Sequence, residues 1–349
     1  EMLEAGYATN VEFHYLHHAP DGTAYDQRSQ MADRIMAATQ TTGIGLTMLP
    51  VHYQYGGCDK RPLVRGQCRF HNDLDGFAAL CDGIRKGLGN LPADTVFGVA
   101  PHSLRAVSPD SLGHTRALGE GGPFHMHLAE QRAEVEEVSQ HLGARPVEWV
   151  LGNIEVGPDC CFIHCTQMQP HETRGLAKTG AIAGLCPITE ASLGDGIFDG
   201  VAWFESGGMI AIGSDSNIRI SLSEELRSLE YSQRLRDRSR AALAPSTAST
   251  GRHIFDAMIA GGARAAGRKT GQIAPGYWAD LMGLDKQSVT LAGRRGDQLI
   301  DSFIFAGDDH LVRDVWSAGR HLVTEGRHHA HDKITSAYRA ALTSLRHTL

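Results

Sequence analysis

The chain has 349 residues, 42% of them hydrophobic and 21% charged, with a formal net charge of −7 and no block of like charge. That suits one large domain, or one large and one small, with enough apolar residues to form a core without staples. It argues against nucleic acid or an anionic membrane as the main partner, and no apolar run approaches the ~20 residues of a membrane span. The seven cysteines are odd in number and form no CxxC pair. They read as reduced thiols of a cytoplasmic protein, and no secretory signal is legible.

The chain opens on Glu1-Met2-Leu3-Glu4-Ala5-Gly6, which reads as the tail of a helix with its glycine stop, and so as a chain cut from something longer. Strand-like and helix-like segments then alternate. Strand 8–15 precedes helix 27–42, with Met31, Ile35 and Met36 on one face and Gly43 as its stop. Strand 44–51 leads into a loop over 52–72 that is long enough to be a functional lid. Helix 74–88, a strand at Val96, helix 109–118 and a strand at Phe124 follow. Helix 130–142 carries acid in its first turn, where the helix dipole favours it. Helix 146–153, a strand at Phe162, helix 170–179, and strands 181–186 and 209–214 continue the pattern. Helices 223–236 and 251–266 close it. From Lys269 the texture changes: segments 277–284, 299–305 and 312–323 read as strands without intervening helices, and 336–345 as a final helix.

This division gives a barrel over 1–268, a small β-sandwich element over 269–330 and a C-terminal helix over 331–349. Counting strands that precede helices gives seven, whereas a closed parallel (β/α)8 barrel needs eight. The missing first strand falls before Glu1. Phe124 then lies on the fifth strand, Phe162 on the sixth and Met209 on the eighth.

The apolar runs in the second half end in polar groups capable of chemistry. His102 and Arg105 follow Val96–Ala100, His127 and Glu130 follow Phe124, His164 follows Phe162, and Asp215 follows Met209–Gly213. Function in a (β/α)8 barrel sits at such C-terminal strand ends. Imidazole nitrogen and carboxylate oxygen suit Zn2+, and Glu130, at a strand-to-helix turn, is placed to carry a proton. His125 and His127 lie on one side of their strand by the period of two, so both are candidate ligands. The strand count favours His127 and gives His125 a structural or supporting role. The pairs His17-His18 and His328-His329 lie in loop-like sequence and read as surface residues.

These residues carry a resemblance. His127-Leu-Ala-Glu130, the lone His164 and Asp215 after an apolar strand resemble the deaminase branch of the amidohydrolase superfamily. The segments Glu12-Phe-His-Tyr15-Leu-His-His, Val99-Ala-Pro-His-Ser-Leu-Arg105 and Gly213-Ser-Asp-Ser-Asn217 narrow it to the formimidoylglutamate deiminases, over nearly the whole chain. The resemblance implies a TIM-like barrel of the amidohydrolase type. It implies one Zn2+ held by two strand-one histidines with His127 and Asp215, and Glu130, His164 and Asp215 as catalytic groups. Tyr15, His102, Arg105 and Ser216 would bind substrate, a formimino amino acid, and Arg61, Arg65 and Arg69 would add charge for a dicarboxylate. Members of this type are commonly homodimers. The strand-one HxH is absent, so the expectation is a truncated chain with weak or no zinc binding. Two alternatives stand beside this reading: a deaminase of purines or related amidines, and a non-catalytic barrel remnant that binds a partner.

Overall fold

The computed structural model describes residues 1–346. The elements run β1 (Thr9–His14), α1 (Gln30–Thr42), β2 (Gly45–His52), α2 (Leu74–Leu88), β3 (Val96–Phe97), β4 (Ala100–Pro101), α3 (Pro109–Leu118) and β5 (Phe124–Leu128). Then come α4 (Arg132–Leu142), α5 (Pro146–Asn153), β6 (Cys160–His164), α6 (Pro170–Lys178), β7 (Ile182–Leu185), α7 (Pro187–Leu193), α8 (Gly200–Glu205) and β8 (Met209–Ile212). The chain closes with α9 (Leu222–Asp237), α10 (Thr250–Ala265), β9 (Leu281–Leu284), α11 (Asp297–Phe305), β10 (Val312–Ser317), β11 (Arg320–Thr324), β12 (Arg327–His328) and α12 (His331–Arg346). None of the described helices is long and apolar enough to cross a membrane.

Strands β1 to β8 are all parallel. β1 pairs with β2, and β2 with β3 and β4; a parallel bridge from Val99 to Phe124 joins β5, and β6, β7 and β8 follow in order. With β3 and β4 as one stave, the described residues supply seven staves of a TIM-like barrel. β2, β5, β6 and β7 are buried at every position, as strands covered on both faces must be. β1 and β8 are only half-buried, and their outer edges do not pair with each other.

Among the described residues three apolar clusters hold the barrel, one of them Leu49, Val51 and Ala100 beside β1. Phe77, Leu80, Ile84, Met126, Phe162 and Trp203 belong to the large core cluster, whereas Cys161, Ile163, Ile182 and Ala265 form a separate smaller one. Helix α10 lies against β8 so closely that a Cβ on Gly261 would stand 2.0 Å from the Ile210 carbonyl oxygen, so only glycine fits there. The last carbonyls of α10 have no partner within the helix. Ala265 O accepts from His125 Nε2 (2.7 Å) and Ala266 O from Thr47 Oγ1 (2.6 Å). These bonds tie the helix end to the strands.

A buried ion cluster lies nearby. Arg268 reaches Asp94 (2.9 Å) and Asp280 (3.1 Å), and Arg320 grips Asp94 through both guanidinium nitrogens (2.8 and 2.7 Å). It ties the α2–β3 connection and the end of α10 to the antiparallel sheet β12-β11-β10-β9. Burial raises the Asp94 pKa, but the two guanidinium groups outweigh it and hold the carboxyl below its usual range.

Several expectations are corrected. Segment 299–305, expected as a strand, lies within helix α11: Leu299, Ile300, Phe303 and Ile304 recur at helical spacing, and Asp297 sits in the first turn. The short helices α7 and α8 fill a stretch to which no element was assigned. The expected strand over 277–284 begins only at Leu281. The C-terminal helix starts five residues before the expected Ser336, and residues 347–349 lie outside those described. His17, His18 and His328 are buried, contrary to a surface placement. His17 Nε2 donates to His14 O (2.9 Å), and its Nδ1 accepts from Asn72 Nδ2 (2.7 Å). The amides of His17 and His18 both donate to Arg69 O, which pins the 52–72 loop beside the end of β1.

Candidate active site

The strand ends converge. His127 closes on His164 with ring centroids 5.6 Å apart and stacks on His102 at 4.8 Å. Tyr15 Oη stands 3.4 Å from His127 Nε2. His164 Nε2 lies 3.8 Å from Glu130 Oε1 and 3.9 Å from Asp215 Oδ2. Arg105 reaches Glu130 at 3.4 Å and Glu134 at 3.8 Å. Tyr15, His102, Arg105, His127, Glu130, His164 and Asp215 therefore form one linked set. Ser216 is adjacent in sequence, and its Oγ pairs with Thr189 Oγ1 (2.8 Å).

The backbone around these residues is strained. Ala129 (φ 51), His164 (φ 72), Cys165 (φ 53), Asp215 (φ 48) and Asn217 (φ 56) are non-glycine residues in the left-handed region. Each costs on the order of 1 kcal/mol or more and persists because neighbours fix it. At Ala129-Glu130 the fixing group is the buried Glu134 carboxylate, which accepts from both amides (3.0 and 2.8 Å). Composition explains the acid at the start of α4 by the helix dipole alone; the structure shows Glu134 holding the turn that carries Glu130.

Burial sets the protonation states. His127 is pushed down to about 3 by desolvation. Its Nδ1 donates to His102 O (2.9 Å), which leaves the Nε2 lone pair facing Tyr15 and His164. Burial raises the carboxyls of Glu130 and Asp215. Burial also lowers His164, but the hydrogen bond to Glu190 and the charges of Glu190, Glu130 and Asp215 outweigh it and leave the ring above its usual value. His125 is driven down to about 4 by burial, and its Nε2 is used by Ala265 O.

A metal ligand of this kind needs one ring nitrogen fixed by a hydrogen bond and the other free. Both β5 histidines have one ring nitrogen fixed, His127 Nδ1 on His102 O and His125 Nε2 on Ala265 O; what separates them is that His127 turns its other nitrogen toward Tyr15 among the strand-end groups, whereas His125 is anchored to the end of α10. His164, Cys186 and Asp215 place ligand atoms within 4.8 Å of one another. The donor set of imidazole, carboxylate and thiol fits zinc.

Two arginines of the long loop are occupied. Arg61 pairs with Glu137 (2.7 Å) and Asp59 (2.9 Å), and Arg69 Nε donates to His18 O (3.3 Å). Arg105 differs: its buried Nε has no hydrogen-bond partner among the described residues. Two residues that sequence reading passed over, Glu134 and Glu190, contact the set directly. The signal for both was an acid in the first turn of a helix behind a strand end.

The sequence profile of the Amidohydrolase family matches residues 1–322. The chain is 42% identical over 347 residues to the formimidoylglutamate deiminase of Pseudomonas aeruginosa, covering 99% of this chain and 76% of that protein. A crystal structure of an amidohydrolase from Brucella melitensis superposes with a TM-score of 0.95 at 47% identity, over 99% of this chain and 76% of that one. A zinc-bound adenosine deaminase from Xanthomonas campestris shares the fold, with a TM-score of 0.80 at 21% identity over 100% of this chain and 73% of its own.

Proposed function

The chain belongs to the Amidohydrolase family, and from that premise we propose that it hydrolyses N-formimino-L-glutamate to N-formyl-L-glutamate and ammonia, a step of histidine degradation. The 42% identical relative, matched over 99% of the chain, carries that name. The observation that carries the reading is the pairing of Arg105 with Glu130 at 3.4 Å. In the substrate the α-carboxylate carbon lies two bonds from the formimino nitrogen. A guanidinium fork beside a proton-carrying carboxyl therefore matches the distance between the anionic and the reacting ends of this molecule. A flat purine offers no carboxylate to such a fork.

His127 and Asp215, with further ligands, would hold one zinc ion. Bound there, zinc supplies acidification of water near neutral pH and polarisation of the group under attack. The chain's own residues do the rest. Arg105 binds the α-carboxylate, Tyr15 and His102 wall the cavity, and Ser216 lies at its edge. Glu130 takes the proton of the attacking water and returns it to the departing nitrogen, for which its raised pKa suits it. His164 Nε2 faces the same space, and Asp215 accepts the second proton of the water, which is passed on to the departing nitrogen so that it leaves as ammonia. Water adds to the formimino carbon, the C–NH2 bond breaks, and ammonia leaves. All seven cysteines are free, which suits a cytoplasmic enzyme. The partner is a small molecule rather than nucleic acid or membrane, and the working form is a homodimer.

The test is a substrate panel. Ammonia and N-formylglutamate should appear in equal amounts from N-formimino-L-glutamate, with no ammonia from adenosine or guanine. Ammonia from a purine, with none from the formimino compound, would overturn the assignment.

A further inference from the structure

We propose that Glu190 is the positioning residue for His164: its carboxylate holds the proton on Nδ1 and turns Nε2 toward Glu130 and Asp215. This rests on the reading of His164 as a catalytic group but is tested apart from turnover.

The geometry begins with helix α7. Pro187 opens it, with the preset φ that suits a first helical residue. Its first turn points two side chains back at the strand ends. Thr189 Oγ1 donates to Ser214 O (3.1 Å) or pairs with Ser216 Oγ (2.8 Å), which ties α7 to the segment bearing Asp215. Glu190 Oε1 accepts from the Cys186 amide (2.9 Å) and lies 3.3 Å from His164 Nδ1. The carboxylate is thus anchored by backbone before it meets the ring. Glu190 and His164 are 4% and 1% exposed, so water does not compete for the contact.

An imidazole in that place has two neutral tautomers. A carboxylate oxygen at Nδ1 selects the one with the proton on Nδ1, because the other would set a lone pair against a carboxylate. Nε2 then presents its lone pair to the cavity, 3.8 Å and 3.9 Å from the Glu130 and Asp215 oxygens. Those gaps exceed a hydrogen bond and leave room for a reacting atom to approach the nitrogen. The left-handed backbone of His164 (φ 72) also needs an external hold on its side chain. Glu190 supplies it from a different barrel unit.

The experiment is 15N–1H correlation spectroscopy of the histidine rings at alkaline pH, where the imidazole is neutral. The His164 signals are assigned by their loss in H164N. In the unsubstituted chain Nδ1 should show the shift of a protonated ring nitrogen and Nε2 that of an unprotonated one; the reverse pattern overturns the proposal. Glu190→Ala should replace the single tautomer by an exchanging mixture, while Glu190→Gln, whose carbonyl still accepts from Nδ1, should restore it. If the alanine variant does not fold, Glu190→Asp, one methylene too short to reach the ring, makes the same test. A folded Glu190→Ala or Glu190→Asp chain with unchanged His164 shifts would overturn the assignment. In turnover, loss of an orienting partner of this kind costs roughly 10- to 100-fold. That loss should fall on kcat with KM little changed, whereas loss of packing alone would leave the tautomer intact.

Discussion

His125 and His127 lie two residues apart on β5, on the same side of the strand, in opposite surroundings. His125 gives Nε2 to the last helical carbonyl of α10, Ala265, near the buried cluster of Asp94, Arg268, Asp280 and Arg320. His127 sits among Tyr15, His102 and His164, with Nε2 left to face them. The base of the barrel matches charge to charge, and the same Asp280 carboxylate holds the left-handed Ala318 (φ 47) through its amide. The mouth keeps lone pairs free, gathers carboxyls with raised pKa values, and carries left-handed residues at Ala129, His164, Cys165 and Asp215. The comparison teaches where this fold spends stability: paired charges at the base hold the staves in register, and left-handed residues bearing chemistry persist at the other end.

Substitutions at the two ends should therefore separate activity from stability. The largest effect is expected from Glu130→Gln, which keeps shape and removes the proton carrier. kcat for ammonia release should fall by about 10²- to 10⁴-fold, while the thermal midpoint stays put; full activity in this variant would break the mouth half of the comparison. Arg268→Ala should do the opposite, because it leaves Asp94 and Asp280 buried with less counter-charge. Urea unfolding should show a loss of about 3–5 kcal/mol, with unchanged turnover per folded molecule. A midpoint within error of the parent would show that the cluster at the base does not hold the sheet to the barrel.

Arg105→Lys sharpens the substrate half of the account. Lysine keeps the charge but loses the planar fork, so KM for N-formimino-L-glutamate should rise about tenfold, with a smaller change in kcat. An equal fall in kcat with KM unmoved would place Arg105 in the chemistry instead.

The smallest effect is acid lability away from the mouth. His17 and His52 are pushed down to about 3 and about 4, mainly by burial. Thr115 donates its hydroxyl to Ser111 O, so its oxygen accepts from His52 Nδ1 (2.6 Å). Both rings bind fewer protons folded than unfolded below pH ~6.5. Their stabilisation is present above that pH and is lost as pH falls through 6.5 toward 4 and 3. His52→Gln should flatten the fall in unfolding free energy by up to about 1.4 kcal/mol per pH unit; an unchanged slope would mean that the ring is already charged when folded.

The sequence carried the strand ends because each is an apolar run ended by one polar group, and burial on both faces makes such runs conspicuous. It carried His127 over His125 only through counting staves. It did not carry α11, since Leu299 to Phe305 is apolar enough to imitate a strand and only Asp301 and Ser302 mark the helical face. It did not carry Glu190, because α7 has seven residues, too few for a periodic signal. His17 and His18 looked exposed because loop sequence gives no sign of what packs on it; here the 52–72 loop folds back and buries them. Arg61 and Arg69 looked available for a ligand, and only their partners in space show them engaged.

The most direct test of the central claim is where zinc goes. In crystals soaked with zinc, an anomalous difference map at the zinc edge should place its strongest peak between His127 Nε2 and the Asp215 carboxylate, with none at His125. A strongest peak at the His17-His18 or His328-His329 pair, or no density at the mouth while zinc is bound elsewhere, would contradict the account.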